Sequence, residues 1–456
     1  MRSKLLILGL LLILGLGGFV AYKSSWVRSW FGRDAENAAE LTRLANEKLE
    51  VPAADTSDWP QWRGPFRDGR APAGPFRTDW DKNPPKPLWS APCGGGYSSF
   101  AVVANRLYSQ DRQGGDERVF CLDAATGKLL WEHRYPADYK PLTAGYAVGP
   151  RATPTAIGNR VYAVGAMGKC ICVEPPQEAG GSPRLVWEHD LLGEFDAKPP
   201  QWGVACSPLV DGDLVVVQPG GKNGSVVAFD RESGSVKWKA ASNPAGYSSP
   251  IAATVGGVRL VYGFAGDALL AIRAADGQLL DAYSWKTDFA ANIATPIVVN
   301  DYVFISSAYN KGCALLRAVA SGDRVKFEEV YARNNRVLRT HHSTAVFKDG
   351  YLYGFDGTRS TLPKCVDLRK GIDVPEWGEG SRVKSGTLIL ADQHLIAFSE
   401  TGELSLVEAT PKDFNVVATV PSGLRGSQLW ALPVLTGGRL FVRGNDSIVC
   451  LDVSVK

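Results

Sequence analysis

Residues 119–133 read "VFCLDAATGKLLWEH" and residues 226–240 read "VVAFDRESGSVKWKA". In each, a short apolar run leads to an aspartate, Asp123 or Asp230. A polar turn follows, then Gly127 or Gly234, a second short run, and Trp131 or Trp238. Asp bonds the backbone of its own turn and Gly supplies a positive φ, so the stretch predicts a tight hairpin between two strands. A tryptophan on the second strand offers a broad flat face to whatever packs beside it. The stretch thus has two readings, a grip on a cofactor or a piece of architecture, and the rest of the chain decides between them.

Working outward, a shorter unit recurs ahead of each such hairpin: a small hydroxyl residue, often a proline, an apolar pair, a polar turn and an apolar strand. It appears as "SSFAVVANRLYSQ" from 98, "ATPTAIGNRVYAV" from 152, "CSPLVDGDLVVVQ" from 206, "SSPIAATVGGVRLVYGF" from 248, "ATPIVVNDYVFIS" from 294, "HSTAVFKDGYLYGF" from 342, "SGTLILADQHLIAF" from 385 and "ALPVLTGGRLFVR" from 431. Eight starts, 42 to 54 residues apart, each followed by further short strands, predict an all-β, eight-bladed β-propeller of four-stranded antiparallel blades. The last unit, "GGRLFVRGNDSIVCLDVSVK", stops after three strands, and "PKPLWSAP" at 85–92 resembles the blade-ending "LVWEHD" at 185–190. An N-terminal strand is therefore expected to complete the C-terminal blade and close the ring. The composition agrees: 49 Gly, 13 Trp and only 2 Met suit many tight turns between strands rather than helices. A net charge of +3 gives no general attraction to nucleic acid, and one propeller is expected to stand as a monomer.

The N-terminus has its own logic. Arg2 and Lys4 precede the apolar run "LLILGLLLILGLGGFVAY" at 5–22, long enough to act as a signal anchor, and a cleavage site ending at Ala21 would place Phe19 at the third position back. The expected layout is a transmembrane signal anchor over 1–22, a juxtamembrane helix and linker over 23–57, and the propeller over 58–456. The propeller is then held at the inner membrane and lies in the periplasm or another extracytoplasmic space. Leu41, Leu44 and Leu49 form a thin apolar stripe on the helix, which is expected to be a spacer. "PQWRGPFRDG" at 60–69 is expected to dock an N-terminal arm on the propeller.

The Asp-turn-Gly-Trp spacing resembles the tryptophan-docking motif of pyrroloquinoline-quinone (PQQ) type propeller repeats, A-x-D-x-x-x-G-x-x-x-W. It is complete at Ala228, Asp230, Gly234 and Trp238, and carries Cys121 for Ala in the first copy. It is degraded at Ala271/Gly277 and at Cys365/Asp367/Gly371, where Trp377 comes two residues late. A narrower resemblance is to exported bacterial PQQ-like propeller proteins that open as "DWPQWRGPFRDG" does at 58–69. The resemblance implies the fold. It is shared by quinoprotein dehydrogenases and by non-catalytic scaffolds such as the propeller lipoprotein of the outer-membrane β-barrel assembly machinery, so it does not choose an activity.

The chemistry of the dehydrogenases makes demands that can be checked by residue type. PQQ carries three carboxylates, its Ca²⁺ wants several hard oxygen ligands, and the substrate alcohol needs a base. No adjacent Cys-Cys pair occurs; Cys170 and Cys172 sit two apart, a poor spacing for a disulfide along a strand. Cys121, Cys172, Cys365 and Cys450 occupy the slot of Ala228 and are expected to be buried small residues, and no metal site is expected. The residues entering each innermost strand form a ring of one per blade: Tyr97, Arg151, Ala205, Tyr247, Ile293, His341, Lys384 and Trp430, with Trp202, Asn292, His342 and Gln428 beside them. This ring is aromatic and cationic and suits a small, planar, anionic ligand. The cofactor-site candidates are Tyr97, Arg151, Trp202, Tyr247, Asn292, His341, Lys384, Gln428 and Trp430, with His341 the candidate base. Strand alternation is expected to turn only one of His341 and His342 toward the channel. Glu194, Asp196 and Asp288 are the nearby loop acids able to supply oxygens. The favoured reading is a binding or scaffolding module with an envelope protein as partner, and it leans against an enzyme. The alternative is a divergent dehydrogenase using PQQ and Ca²⁺ to oxidise alcohols, polyols or sugars.

Overall fold

In the computed structural model the chain is described over residues 40–44, 47–50 and 57–455, apart from positions 73, 144, 146, 147, 179, 335, 336, 359, 360 and 379–382. The expected signal anchor at 1–22 lies outside the described residues. Among the described residues no helix is long and apolar enough to cross a membrane. The described strands fall into eight four-stranded antiparallel sheets. Blade 1, for example, runs through Ala101–Val103, Arg106–Gln113, Asp116–Asp123 and Leu129–Pro136. Blade 8 takes Val434–Thr436, Arg439–Arg443 and Ser447–Asp452 from the C-terminus, and its outer strand is Lys86–Pro92, with Trp89 opposite Cys450. The ring is therefore closed by strands from both ends of the chain.

The opening motif is the latch between blades. The Asp123 carboxylate accepts from the amides of Ala125 at 3.0 Å and Thr126 at 2.8 Å, and Asp230 accepts from Glu232 at 3.2 Å and Ser233 at 2.9 Å. Those donors, the Ser233 amide foremost, hold the Asp230 carboxyl down to about 2. Gly127 and Gly234 take φ of 72° and 75°. They serve a second purpose. A Cβ on Gly127 would lie 2.5 Å from the Trp89 ring, on Gly234 2.6 Å from Trp187, and on Gly277 2.7 Å from Trp238. Each tryptophan thus lies flat on the turn of the next blade, and its indole N–H donates to the carbonyl three residues before the glycine: Ala124 at 3.1 Å, Arg231 at 3.1 Å and Ala274 at 2.8 Å. Tyr331 does the same on Gly371, donating to Leu368 O at 2.7 Å. The register sets Cys121, Cys172, Ala228 and Cys450 directly opposite Trp131, Trp187, Trp238 and Trp89, so only a small side chain fits beneath the indole. All eight cysteines are buried and unpaired, and burial pushes the Cys172 thiol up to about 12.

Blade 4 has no latch of this kind, since Asp281 stands opposite Ala271. Blade 5 answers with a long hairpin, Gly312–Ser321 and Arg324–Asn334. Its Phe327 amide donates to Asp281 at 2.7 Å and its ring lies 6.1 Å from that of Tyr262. A hairpin reaching back replaces a tryptophan reaching forward.

The N-terminal arm enters the channel. Trp59 bridges to Val102 of blade 1, Pro60 O accepts from Ala156 of blade 2, and Gly69 O accepts from Leu390 of blade 7. Arg63 and Arg67 are buried at the centre. Arg63 donates to the carbonyls of Arg67, Asp68, Thr344 and Ala345, and Arg67 to those of Ser207 and Pro208. Burial lowers both guanidinium pKa values to about 10, still well above neutrality, so both stay charged, held by carbonyl dipoles, with the Asp68 carboxylate also acting on Arg63. Residues 40–44 and 47–50 lie on the same face. Leu44 is fully buried against blades 5 and 6 with Leu41 and Leu49 packed beside it. Glu40 accepts from Tyr302 at 2.8 Å, and Arg369 donates to Leu44 O and Glu47 O at 3.0 Å. This stretch was expected to stand as a spacer; instead its apolar stripe is fastened to the propeller.

Candidate functional site

With the arm filling one end, the channel becomes a one-mouthed cavity on the opposite face, with about 170 Å³ of open space. Trp62 is the deepest point of the arm and forms the cavity floor, its indole N–H donating to Thr295 Oγ1 at 2.9 Å. The wall is built from the entries to the inner strands, with blade 7 contributing none and blade 6 three residues, His341, His342 and Thr344. Tyr97 N donates to Pro150 O and Tyr247 N to Asn292 O, both at 2.8 Å, so the two "GYSS" tyrosines hold equivalent positions. Gly246 is needed there because a Cβ would lie 2.7 Å from Phe264 O on the same blade and 3.0 Å from Asn292 O at the entry to the next.

The ring contacts run almost unbroken around the mouth. Tyr97 packs on Trp430 with centroids 5.0 Å apart, Trp430 stacks on His342 at 3.9 Å, and His342 lies 3.7 Å from His341. His341 meets Tyr309 at 5.2 Å, Tyr309 stacks on Trp202 at 6.4 Å, and Trp202 meets Tyr247 at 5.4 Å. The Arg151 guanidinium lies over the Tyr97 ring at 5.5 Å. Outside this collar Phe289 is 60% exposed at a φ of 61°, its ring 5.9 Å from Trp202 and 5.8 Å from Tyr309.

Of the residues singled out from sequence, Tyr97, Arg151, Trp202, Tyr247, His341 and Trp430 line the cavity together, with Ala205, Ile293 and His342. Three do not. Asn292 is fully buried behind the wall, bonding Ala265 O at 2.7 Å, Trp285 O at 3.0 Å and Ser307 at 2.8 Å, a brace rather than a ligand. Gln428 accepts from the Tyr97 hydroxyl at 2.9 Å and so orients it. Lys384 pairs with Glu403 at 3.0 Å outside the cavity. Both histidines line the cavity, contrary to the alternation argument, because residues 338–345 form no strand and bend at 341–343, with Leu338 at a φ of 43°. The loop acids are elsewhere. Glu194 is bonded to His189 at 2.7 Å, Asp196 faces Lys222 at 3.7 Å, and neither these nor Asp288 lines the cavity. Sequence reasoning missed Trp62, Tyr309 and Phe289. Tyr309 sits in the turn "SSAYNKG", and an aromatic in a turn at the channel face was the available signal.

Burial fixes the electrostatics. It lowers the His341 pKa to about 4 and that of His342 well below the usual range, the latter helped by repulsion from His341. Both rings are neutral at pH 7, so Arg151 supplies the one charge of the lining. The pair also makes stability depend on pH. Their folded pKa values lie below the unfolded value near 6.5, so the unfolded chain takes up protons first. Stability is full above about pH 6.5 and falls as the pH drops toward 4, by on the order of 3 kcal/mol for His341. Urea midpoints should fall across that window, and a His341→Gln, His342→Gln variant should show a shallower slope.

PQQ with Ca²⁺ does not fit this lining. Three carboxylates would meet one guanidinium, and a Ca²⁺ seeking six to eight oxygens would find no carboxylate. Among the described residues no group of three or more His, Cys, Asp or Glu is placed to hold a metal ion. What the cavity offers is mostly ring faces, a single cation and the hydroxyl residues Ser207, Ser249 and Thr344.

Blades latched by this motif and closed in this way define a PQQ-like repeat propeller. The chain belongs to the family described as outer membrane protein assembly factor BamB, whose model matches residues 77–173 and 149–362. A relative of the same description from Moranella endobia is 28% identical over 324 residues, covering 64% of this chain and 72% of that protein. Among solved structures, BamB from Moraxella catarrhalis superposes with a TM-score of 0.54 at 13% identity, covering 82% of this chain and 98% of that one. A quinohemoprotein alcohol dehydrogenase from Comamonas testosteroni superposes with a TM-score of 0.61 at 14% identity, covering 93% of this chain and 85% of that one. Likeness at this level of identity speaks to the fold alone.

Proposed function

We propose that this protein is a binding and scaffolding propeller of the cell envelope, anchored in the inner membrane through residues 1–22, that engages an envelope protein at the collar face. One observation carries the reading. The arm closes the channel at one face, where residues 40–44 and 47–50 also pack, which leaves the aromatic collar as the concave surface on the opposite face. Family membership supports it, because the family's description is that of an assembly factor. The lining supports it too, since it lacks the acids that quinone chemistry needs.

A photo-crosslinking residue placed at Phe289 on the collar lip should capture a discrete envelope protein in intact cells. The same residue at Asp213, in the first hairpin turn of blade 3 on the opposite face, should capture none. Equal capture at both positions, or alcohol-dependent dye reduction by the purified protein, overturns the reading.

A further inference from the structure

Resting on the reading of the collar as a binding surface, the lining narrows what enters it. The polar tips of the aromatic residues are turned to protein partners. The Tyr97 hydroxyl is bonded to Gln428, that of Tyr247 accepts from Trp202 N at 3.4 Å, and that of Tyr309 meets His341 Nε2 at 3.1 Å. The Trp430 indole donates to Glu400 at 3.1 Å and that of Trp62 to Thr295. An occupant therefore meets π-faces and edges, which favours a flat apolar ring over a polyhydroxylated sugar. Size limits the ring. About 170 Å³ is close to the roughly 150 Å³ of an engineered apolar cavity that takes up benzene, so one six-membered ring fills it and a fused tricycle exceeds it. Charge sets the substituent. Arg151 is the one charged side chain of the lining, its guanidinium over the Tyr97 face and bonded to Gly149 O, and the buried Glu117, outside the lining, also acts on its charge. Phe289 and Tyr309 are held at left-handed φ of 61° and 52°, a strained conformation for aromatic residues, and they continue the apolar surface over the lip.

We propose that the collar binds a single aromatic ring bearing one carboxylate, the ring among Trp202, Tyr309, His342 and Trp430 and the carboxylate against Arg151. Two sources share this chemistry, a free aromatic acid and the C-terminal aromatic residue of a polypeptide.

The test uses the full chain in detergent, read by calorimetry. Benzoate should bind, and benzamide, its neutral counterpart, should bind about tenfold or more weakly, the ordinary worth of a charge-assisted bond. Arg151→Gln should remove that preference while keeping the unfolding midpoint within a few degrees. Trp430→Leu should weaken benzoate and benzamide alike. N-acetyl-glycyl-phenylalanine and its amide separate the sources. Tighter binding of the peptide acid than of benzoate, lost in Phe289→Ala, assigns the site to a polypeptide terminus; the reverse order assigns it to a small acid. Equal binding of benzoate and benzamide by the unaltered protein, tighter binding of glucuronate than of benzoate, or no saturable heat with either acid overturns the proposal. Crosslinking from Phe289 would survive that failure, whereas PQQ turnover would remove the scaffold reading as well.

Discussion

Arg63→Ala should destabilise the propeller by about 3–5 kcal/mol, measured as the guanidinium midpoint of the full chain. The side chain is buried at the channel axis and donates to four carbonyls, two in its own arm and two in blade 6, at 2.8 to 3.2 Å. Truncation leaves a cavity and carbonyls that water cannot reach, and each such loss costs on the order of 1–3 kcal/mol. The buried Asp68 carboxylate also feels this guanidinium, so its loss withdraws a favourable charge from Asp68 and adds to the cost. Arg63→Lys should recover only part of the loss, because one ammonium cannot span a fork of donors. A cost under about 1 kcal/mol for the alanine variant would show that the arm merely rests on the ring.

Gly234→Ala should cost about 2–5 kcal/mol. The backbone sits at a φ of 75°, where an alanine is strained by roughly 1–2 kcal/mol, and the new methyl would stand 2.6 Å from the Trp187 ring. Displacing a packed indole adds a further 1–3 kcal/mol. A double-mutant cycle isolates the second part: in a Trp187→Ala background the ring atoms the methyl would strike are gone and only the Cβ of residue 187, at 2.9 Å, still crowds it, so the cost of Gly234→Ala should fall toward the backbone strain alone. If the two changes were additive, the latch between blades 2 and 3 would not be the contact described here.

The blades were legible in the sequence because each is a local object. Asp230, Gly234 and Trp238 are spaced by a hairpin, and the one-per-blade ring from Tyr97 to Trp430 follows from where each inner strand begins. Closure was legible too, since "PKPLWSAP" matches what the last blade lacks. Contacts that leave no spacing were not legible. The stretch at 60–69 marked a docked arm, but Arg63 and Arg67 bond backbone carbonyls of distant blades, and a carbonyl has no residue type, so nothing marked the arm's path into the channel or the arrival of Trp62 at the cavity floor. Leu44 presents the same stripe whether it faces solvent or blades 5 and 6. The histidine pair was misjudged because alternation applies to strands, and residues 338–345 form no strand and bend at 341–343. Lys384 was assigned to the ring by count alone, and its pairing with Glu403 takes it out.

We propose this channel face as a binding surface with one cation and not as a quinone redox centre. Calorimetric titration of PQQ into the full chain, with and without Ca²⁺, tests it most directly. The account predicts no saturable binding in either arm, and no alcohol-dependent dye reduction afterwards. Stoichiometric binding that requires Ca²⁺ and is abolished by Arg151→Ala would contradict it.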